Sequence, residues 1–493
     1  MRTVGVLSLC LGGWLAVVGV MREWQVFREG MVSAFIVIMV AGICAVVFGR
    51  RLLPGLAAWA RAHFAVLAVC IFALGLVARL AFLALEYAPV SDPADFLRRA
   101  LTFADTGGET VGDGLFVAMF PHLYGYSCLL GAAFRVFGAT GGIVALNTLL
   151  DVASVLLLCH LVRRISGSRR LAVLTAAVWW ISPYNIVFCA VSLPPVAVNA
   201  AFLTVLALLS HLFGSLGDVK KLLPWSGATG LALFAFHVLR PFGAVVFACV
   251  GVYFLILVLR RRREGGRNPL RGCLLSLAVM AAVFFSLAAF WQQHVAAETG
   301  YPVNAHPQGW NLYIGSNFDS GGNWNQEDST HALGVVEEEG DVSAAYRRLQ
   351  AEAFERWRAL GAFGAAELIV RKSVILGGSQ RSMVSTTAAI SYPWFDPEIG
   401  AAERARVDAL KAVSGAYWFL LFVFALRFFI GRLRRTAPDF SVFLAGFTVV
   451  LFCASLAVEV SSRYFMPFFP AFTVFAALGL SAELRAPLRL PRR

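Results

Sequence analysis

The sequence predicts an all-α integral membrane protein of about twelve transmembrane helices, with juxtamembrane helices and two long loops on the outer side. Three observations carry that prediction. Of 493 residues, 59% are apolar and only 14% charged, with a mean hydropathy of +0.73. A soluble domain is roughly half apolar and about a quarter charged, so the excess belongs in lipid. Apolar runs of about 20 residues, the length that crosses a bilayer, recur along the chain. Basic residues collect on one side of those runs, as the positive-inside bias requires.

Taken in order, the predicted spans are 3–21, 31–49, 64–86, 140–162, 171–190, 194–216, 225–240, 242–260, 270–291, 413–431, 437–458 and 464–484. The first follows a single basic residue and lacks a small-residue cleavage site, so it reads as a retained helix rather than a removed signal. Residues 1–63 then form a two-span hairpin, 64–291 a transmembrane core with its first outer loop over 87–139, 292–412 an extracytoplasmic loop with amphipathic helices, and 413–493 the last spans and a basic tail. Run 122–138 is also apolar, but counting it as a span would put Arg163, Arg164, Arg169 and Arg170 outside. It is therefore expected to lie flat in the outer interface, where an aromatic-rich helix carrying Arg135 is at home.

With these spans Arg50, Arg51, Arg163, Arg164, Lys220, Lys221, Arg260 and Arg435 share the cytoplasmic side, and both termini are cytoplasmic. The net charge of +13 then reports topology, and nucleic acid drops out as a partner. The expected location is the inner (plasma) membrane. Nine cysteines without CxxC spacing and eight histidines without ligand spacing imply no disulfide framework and no metal.

The outer segments 86–121 and 292–412 hold 21 of the 29 acidic residues, which places the chemistry on that face. In the first, Asp92 before Pro93 reads as a helix start, and Phe96, Ala100 and Phe103 make an amphipathic stripe behind it. Asp92 and Asp95 are either first-turn carboxylates favoured by the helix dipole or general bases at the water interface. In the second, a stretch rich in Gly, Asn, Trp and Tyr around Trp310, Asn311 and Tyr313 suits turns and contact with sugar-like surfaces. Farther on, Tyr346, Leu349, Phe354, Trp357 and Leu360 form a stripe expected on the membrane surface.

Ionisable groups at membrane depth carry a functional suspicion. Asp151, one turn after Asn147, reads as an internally hydrogen-bonded pair, and Arg79 near an outer helix end as a snorkelling side chain. Arg240 before Pro241, together with Glu459 and Arg463 around the last span, cluster at the outer headgroup level. A guanidinium there suits a lipid-borne phosphate, because Arg offers forked donors.

These features resemble, in order, the polytopic GT-C glycosyltransferases, specifically the bacterial relatives of dolichyl-phosphate-mannose protein mannosyltransferases and the lipid A aminoarabinose transferases. The matching pieces are SDPADFLRRALTFADTG, FPHLYGYSCLLGAAFRVFG, LNTLLDVASVLLLCHLVRRISG, HVLRPFGAVV, GWNLYIGSN and VEVSSRYFMPFFP, spread over about residues 64–484. The resemblance implies a GT-C type fold and an inverting membrane glycosyltransferase. It takes its sugar from a polyprenyl-phosphate donor and passes it to a glycolipid, polymer or protein acceptor in the envelope. Asp92 is the implied base, with Asp95 second. Arg463 and Tyr464 are implied to touch the donor phosphate, with Arg240 beside them. Trp310, Asn311, Tyr313 and Glu459 are read as sugar or acceptor contacts. Three departures stand out: two extra N-terminal spans, Ser192-Leu193-Pro194-Pro195 in place of an acidic residue, and Asp-x-x-Asp in place of adjacent acids. They leave open whether a divalent metal assists; no other cofactor is implied. The rival readings are a transporter or flippase of lipid-linked glycan, which would want repeat symmetry, a ligase or polymerase acting on the same donor type, and a scaffold.

Overall fold

The computed structural model describes Gly13, Val17 and residues 62–107, 114–263, 269–303, 308–376, 380–433 and 440–480. Apart from those two residues, the N-terminal spans lie outside the described residues, as does the basic tail after 480. Among the described residues all regular structure is helical. Helix α1 (Phe64–Leu80) leads into the first loop, with α2 (Asp92–Thr106), α3 (Gly114–Met119) and α4 (His122–Phe137). The chain then runs through α5 (Ala139–Ser166), α6 (Arg169–Trp180), α7 (Pro183–Phe188), α8 (Pro195–Gly214), α9 (Val219–Leu239), α10 (Gly243–Arg263) and α11 (Leu270–Thr299). The second loop carries α12 (Gln308–Gly315), α13 (Gln326–Glu339), α14 (Val342–Leu376) and α15 (Gln380–Ala389). Helices α16 (Ala401–Leu433), α17 (Phe440–Ala457) and α18 (Phe469–Leu480) complete it, the last entered through a 3₁₀ turn at Ser462–Phe468.

Among the described residues seven helices are long and apolar enough to cross a membrane, covering Phe64–Ala84, Ala139–Ser166, Pro195–Gly214, Val219–Leu239, Gly243–Arg262, Leu270–Thr299 and Ala401–Gly431; Phe443–Ala457 and Tyr464–Leu480 are shorter apolar helices. The chain is a multi-pass membrane protein. The short predicted spans at 225–240 and 242–260 emerge as full-length helices. The run 171–190 does not: α6 ends at Trp180 and α7 restarts at Pro183, because a proline removes a backbone donor and disfavours helical geometry in the residue before it. The run 122–138 is the 16-residue helix α4, about 24 Å long at 1.5 Å per residue and short of a bilayer core.

One large core joins the spanning helices, and a second, smaller core gathers the loop unit. In the second, Tyr346 and Leu349 are fully buried with Trp310, Ile314 and Val336. The α14 stripe expected on the membrane surface is therefore split. Its first two members fold inward because α12 and α13 cover them, while Phe354 stays exposed. The two loops form one body: the Tyr346 hydroxyl donates to the Met119 carbonyl at 3.0 Å, and Phe120 meets Trp310 edge-on at 5.6 Å.

Within the spans, Arg79 does not snorkel. It is fully buried and paired with Asp151. It also donates to the carbonyls of Gly75 (2.7 Å) and Trp180 (2.8 Å), with its guanidinium carbon 3.7 Å from the Trp180 ring centroid. Trp179 donates its indole N–H to Asp151 at 2.8 Å. In hydrocarbon an unpaired charge costs several kcal/mol, so the two ions and the indole satisfy one another. Asn147 is not Asp151's partner as expected. It accepts from Tyr126 at 3.1 Å and donates to the Val191 carbonyl at 3.1 Å, tying α4 and the α7–α8 turn to α5.

Candidate active site

The first loop reaches its helix through an extended stretch fixed at both edges. Backbone N–H groups of Ala88 and Val90 donate to the carbonyls of Ser391 and Ile390 at 3.1 and 2.8 Å. The Tyr87 hydroxyl meets Ser192 Oγ at 2.5 Å and accepts from the Ser192 N–H at 2.9 Å. Ser192 Oγ donates onward to the Pro93 carbonyl at 2.6 Å. Burial pushes the Tyr87 phenol up to about 12, with the Ser192 bonds opposing, so it stays a neutral donor. The sequence departure at Ser192 is thus the post that holds the start of α2.

Ser91 precedes that start with φ 59°, and it is the one non-glycine with positive φ among the described residues. Such backbone costs of order 1–3 kcal/mol and persists where surrounding structure imposes it. Ser91, rather than Asp92, is the N-cap, and it makes no side-chain cap bond; Asp92 and Asp95 both fall in the first turn. Helical spacing puts Asp92 on the face of Phe96 and Arg99, one and two turns on, and both of those are buried. Asp95 sits at the rim, about half exposed and 3.6 Å from Arg98. The far end of α2 is held by Arg135, which donates to the carbonyls of Ala104 (2.8 Å) and Phe103 (3.1 Å).

The second group forms where α9 ends. Arg240, after Leu239, stacks over the Tyr464 ring at 4.6 Å, and the Tyr464 hydroxyl donates to Glu459 at 3.1 Å. The Glu459 segment docks under the loop unit: its N–H donates to the Asn311 carbonyl at 2.7 Å, and the Val460 N–H to the Gly322 carbonyl at 2.9 Å. Gly315 is required there, since a Cβ would fall 2.5 Å from the Glu459 nitrogen. Arg463 lies in the same 3₁₀ turn as Tyr464, and its side chain lies outside the described residues.

His122, opening α4, links the two groups. Burial is the main cause that pushes its imidazole down to about 3, and the neighbouring Arg240, His237 and Arg99 push the same way. His122 and His237 line a small cavity with Pro241, Trp291 and Gln292. Arg99 on the carboxylate helix and Arg240 beside Tyr464 therefore bear on one ring.

Trp310 and Tyr313 are placed elsewhere. Both are buried in the loop unit's core, at 6% and 4% exposure. The Tyr313 hydroxyl accepts from Arg356 at 2.5 Å, and Arg356 stacks on its ring at 3.9 Å while bridging Asp328 at 2.9 Å. Asn311 contributes its main-chain carbonyl to the Glu459 joint. Arg99, His122, His237 and Lys372 have no site role in the sequence reading, and Ser192 figures there only as a departure from the resembled pattern. The available signal was an ionisable or hydroxyl group inside an otherwise apolar stretch. Among the described residues no group of three or more His, Cys, Asp or Glu is arranged to hold a metal ion.

No family model matches the chain, and no curated protein matches it. Among solved structures it is similar to the Archaeoglobus fulgidus oligosaccharyltransferase tethered with an acceptor peptide containing the NVT sequon. That match has 12% identity and a TM-score of 0.48, covering 86% of this chain and 50% of that one. AglB from the same organism, in complex with an inhibitory peptide and a dolichol-phosphate, matches at 11% and 0.45, covering 85% and 50%. ArnT from Cupriavidus metallidurans bound to undecaprenyl phosphate matches at 13% and 0.38, covering 84% and 76%. Both proteins are GT-C glycosyltransferases, the class the sequence resembles. The chain spans about half the length of the oligosaccharyltransferase chains it matches.

Proposed function

We propose that the protein is an inverting membrane glycosyltransferase. It moves a sugar from a polyprenyl-phosphate donor to an acceptor hydroxyl on the extracytoplasmic face, where both loops lie. The single observation that carries this reading is that α4 packs closely on both groups: a Cβ at Gly131 would fall 2.6 Å from the Ala100 carbonyl of the helix bearing Asp92, and one at Gly125 2.8 Å from the Val238 carbonyl, two residues before Arg240. A carboxylate-bearing helix and a guanidinium held against an aromatic ring then face one region at the loop ends of the spans. That pairing suits displacement at a carbon bonded to phosphate.

The acceptor oxygen attacks the anomeric carbon as its proton passes to the Asp92 carboxylate. The bond from that carbon to the phosphate oxygen breaks, and its electron pair leaves with the phosphate. Arg240 and Arg463 stabilise the charge developing there. Asp95, at the rim and beside Arg98, is the second choice of base. Grooves between the apolar helices hold the prenyl tail. The reading is tested with a labelled prenyl-phosphate sugar in membrane vesicles. Asp92→Asn is expected to lower transfer by about 10²–10⁴ and Asp95→Asn by less than about tenfold. If both variants transfer at the wild-type rate, the base is misassigned; translocation of the lipid without a new glycosidic bond would instead mark a flippase.

A further inference from the structure

Lys372, near the end of α14, is fully buried. Its ammonium donates to the Gly315 carbonyl at 2.7 Å and lies 5.5 Å from the Trp357 ring centroid. Gly322, at φ 74°, leaves the room its stem occupies, since a Cβ there would meet Lys372 Cε at 2.9 Å. Burial pushes the amine down to about 7, with Glu459 pulling the other way. Gly315 brings Lys372 to the carboxylate that receives Tyr464: its carbonyl takes the ammonium, and a Cβ on it would fall 2.5 Å from the Glu459 nitrogen. The groups in order are Lys372, Glu459, Tyr464 and Arg240, with one carboxylate between two cations.

We propose that Lys372 is a positioning residue for the donor phosphate, acting through Glu459 and Tyr464 on Arg240. Glu459 and a bound phosphate are two anions drawing on the same guanidinium. With its ammonium charged, Lys372 neutralises Glu459, so Tyr464 stays as a donor to it and the charge of Arg240 is left to the phosphate. With a neutral amine, Glu459 draws on Arg240, and the phosphate is held less well. The inference rests on the proposed function and adds to it a dependence on pH.

Other charged groups along the α14 packing are paired differently. Arg371 bonds Glu367 on its own helix, Arg356 faces Asp328 from α13, Glu352 faces His331, and Arg348 bridges Glu338 and Glu339. Arg463 shares the turn that carries Tyr464.

The test is binding of undecaprenyl phosphate to the full chain in nanodiscs at pH 7 and pH 9. A phosphate monoester takes its second charge near pH 6, so ligand ionisation does not weaken binding across that window. Wild-type Kd is expected to rise about tenfold from pH 7 to pH 9, a typical coupling between sites. Lys372→Arg keeps its charge, and its Kd is expected to stay flat. Lys372→Met is expected to be about tenfold weaker at pH 7 and insensitive to pH, and in the transfer assay to raise KM more than it lowers kcat. The proposal is overturned by a flat wild-type profile, by a Lys372→Arg profile that follows the wild type, or by Lys372→Met binding as wild type at pH 7. The first two readouts hold even where the methionine variant fails to fold. Wild-type protein that binds undecaprenyl phosphate at neither pH sinks the proposed function itself, whereas binding without a slope sinks only the role of Lys372.

Discussion

Two charged groups of the molecule are built differently. Arg79 and Asp151 sit among the spans with direct ion-pair contact and main-chain and indole bonds around them. Arg240 stacks on the ring of Tyr464, whose hydroxyl donates to Glu459, at the seam between the spans and the loop unit. The first arrangement is closed on itself and serves to hold α1, α5 and α6 in register. The second joins the spans to the loop unit, where the Glu459 and Val460 N–H groups meet the Asn311 and Gly322 carbonyls, and under the proposed function an anion enters and leaves there. A buried ionisable residue is therefore weak evidence of function until its partners are known.

The sharpest break of this comparison is Asp151→Asn, which leaves Arg79 charged and buried without its ion. Removing one partner of a buried pair costs about 3–5 kcal/mol, so detergent melting is expected to show a large loss of stability and membrane yield to fall. The ratio of transfer rate to folded protein should not move. Next comes Arg240→Met, with the opposite signature. Transfer is expected to drop by about 10²–10³, as when a preorganised charge donor is removed, with the melting temperature nearly unchanged. A variant that melts early and transfers normally per folded molecule would place Arg240 with Arg79 as a structural cation.

The smallest effect concerns Asp328, the loop unit's own charge pair. Burial alone would raise its carboxyl, but bonds from Arg356, Asn325 and Asn317 outweigh it and hold the group below the ordinary range. A depressed carboxyl stabilises the fold above the unfolded-state value of about 3.9, and that stability is lost as pH falls through the lower folded value. Asp328→Asn is expected to cost about 1 kcal/mol at neutral pH. The gap to wild type should close on acidification, read as melting of the loop unit against pH.

Much of the architecture could be read from composition and hydropathy, because lipid leaves few ways to bury a backbone. The spans at 140–162 and 194–216 appear as single helices close to their predicted limits, 64–86 as an α-helix continued by a 3₁₀ turn, and 270–291 as the first part of a helix that runs on to Thr299. The break at Ser182–Pro183 is inside an apolar run whose hydropathy hides it, though the proline itself was visible. The pairing of Arg79 with Asp151 joins residues far apart in sequence, and a single chain offers no way to match them. The same holds for the site. Asp92, Arg240, Tyr464 and Glu459 could be picked as types at suspicious depths. Trp310 and Tyr313 could equally be a contact surface or a core, and their burial depends on what α13 and α14 cover. Ile390 and Ser391, in a stretch with no clear sequence pattern, supply the edge that fixes the start of α2.

That edge bears on the order of assembly. The helix with Asp92 emerges early in synthesis, yet its leading strand bonds to Ile390 and Ser391, which leave the ribosome only when most of the chain has been made. The early segment must wait, loosely placed at the membrane, for a late one to seat it. Chains cut short before residue 390 would then insert their first spans while leaving the start of the Asp92 helix without the main-chain partners that seat it.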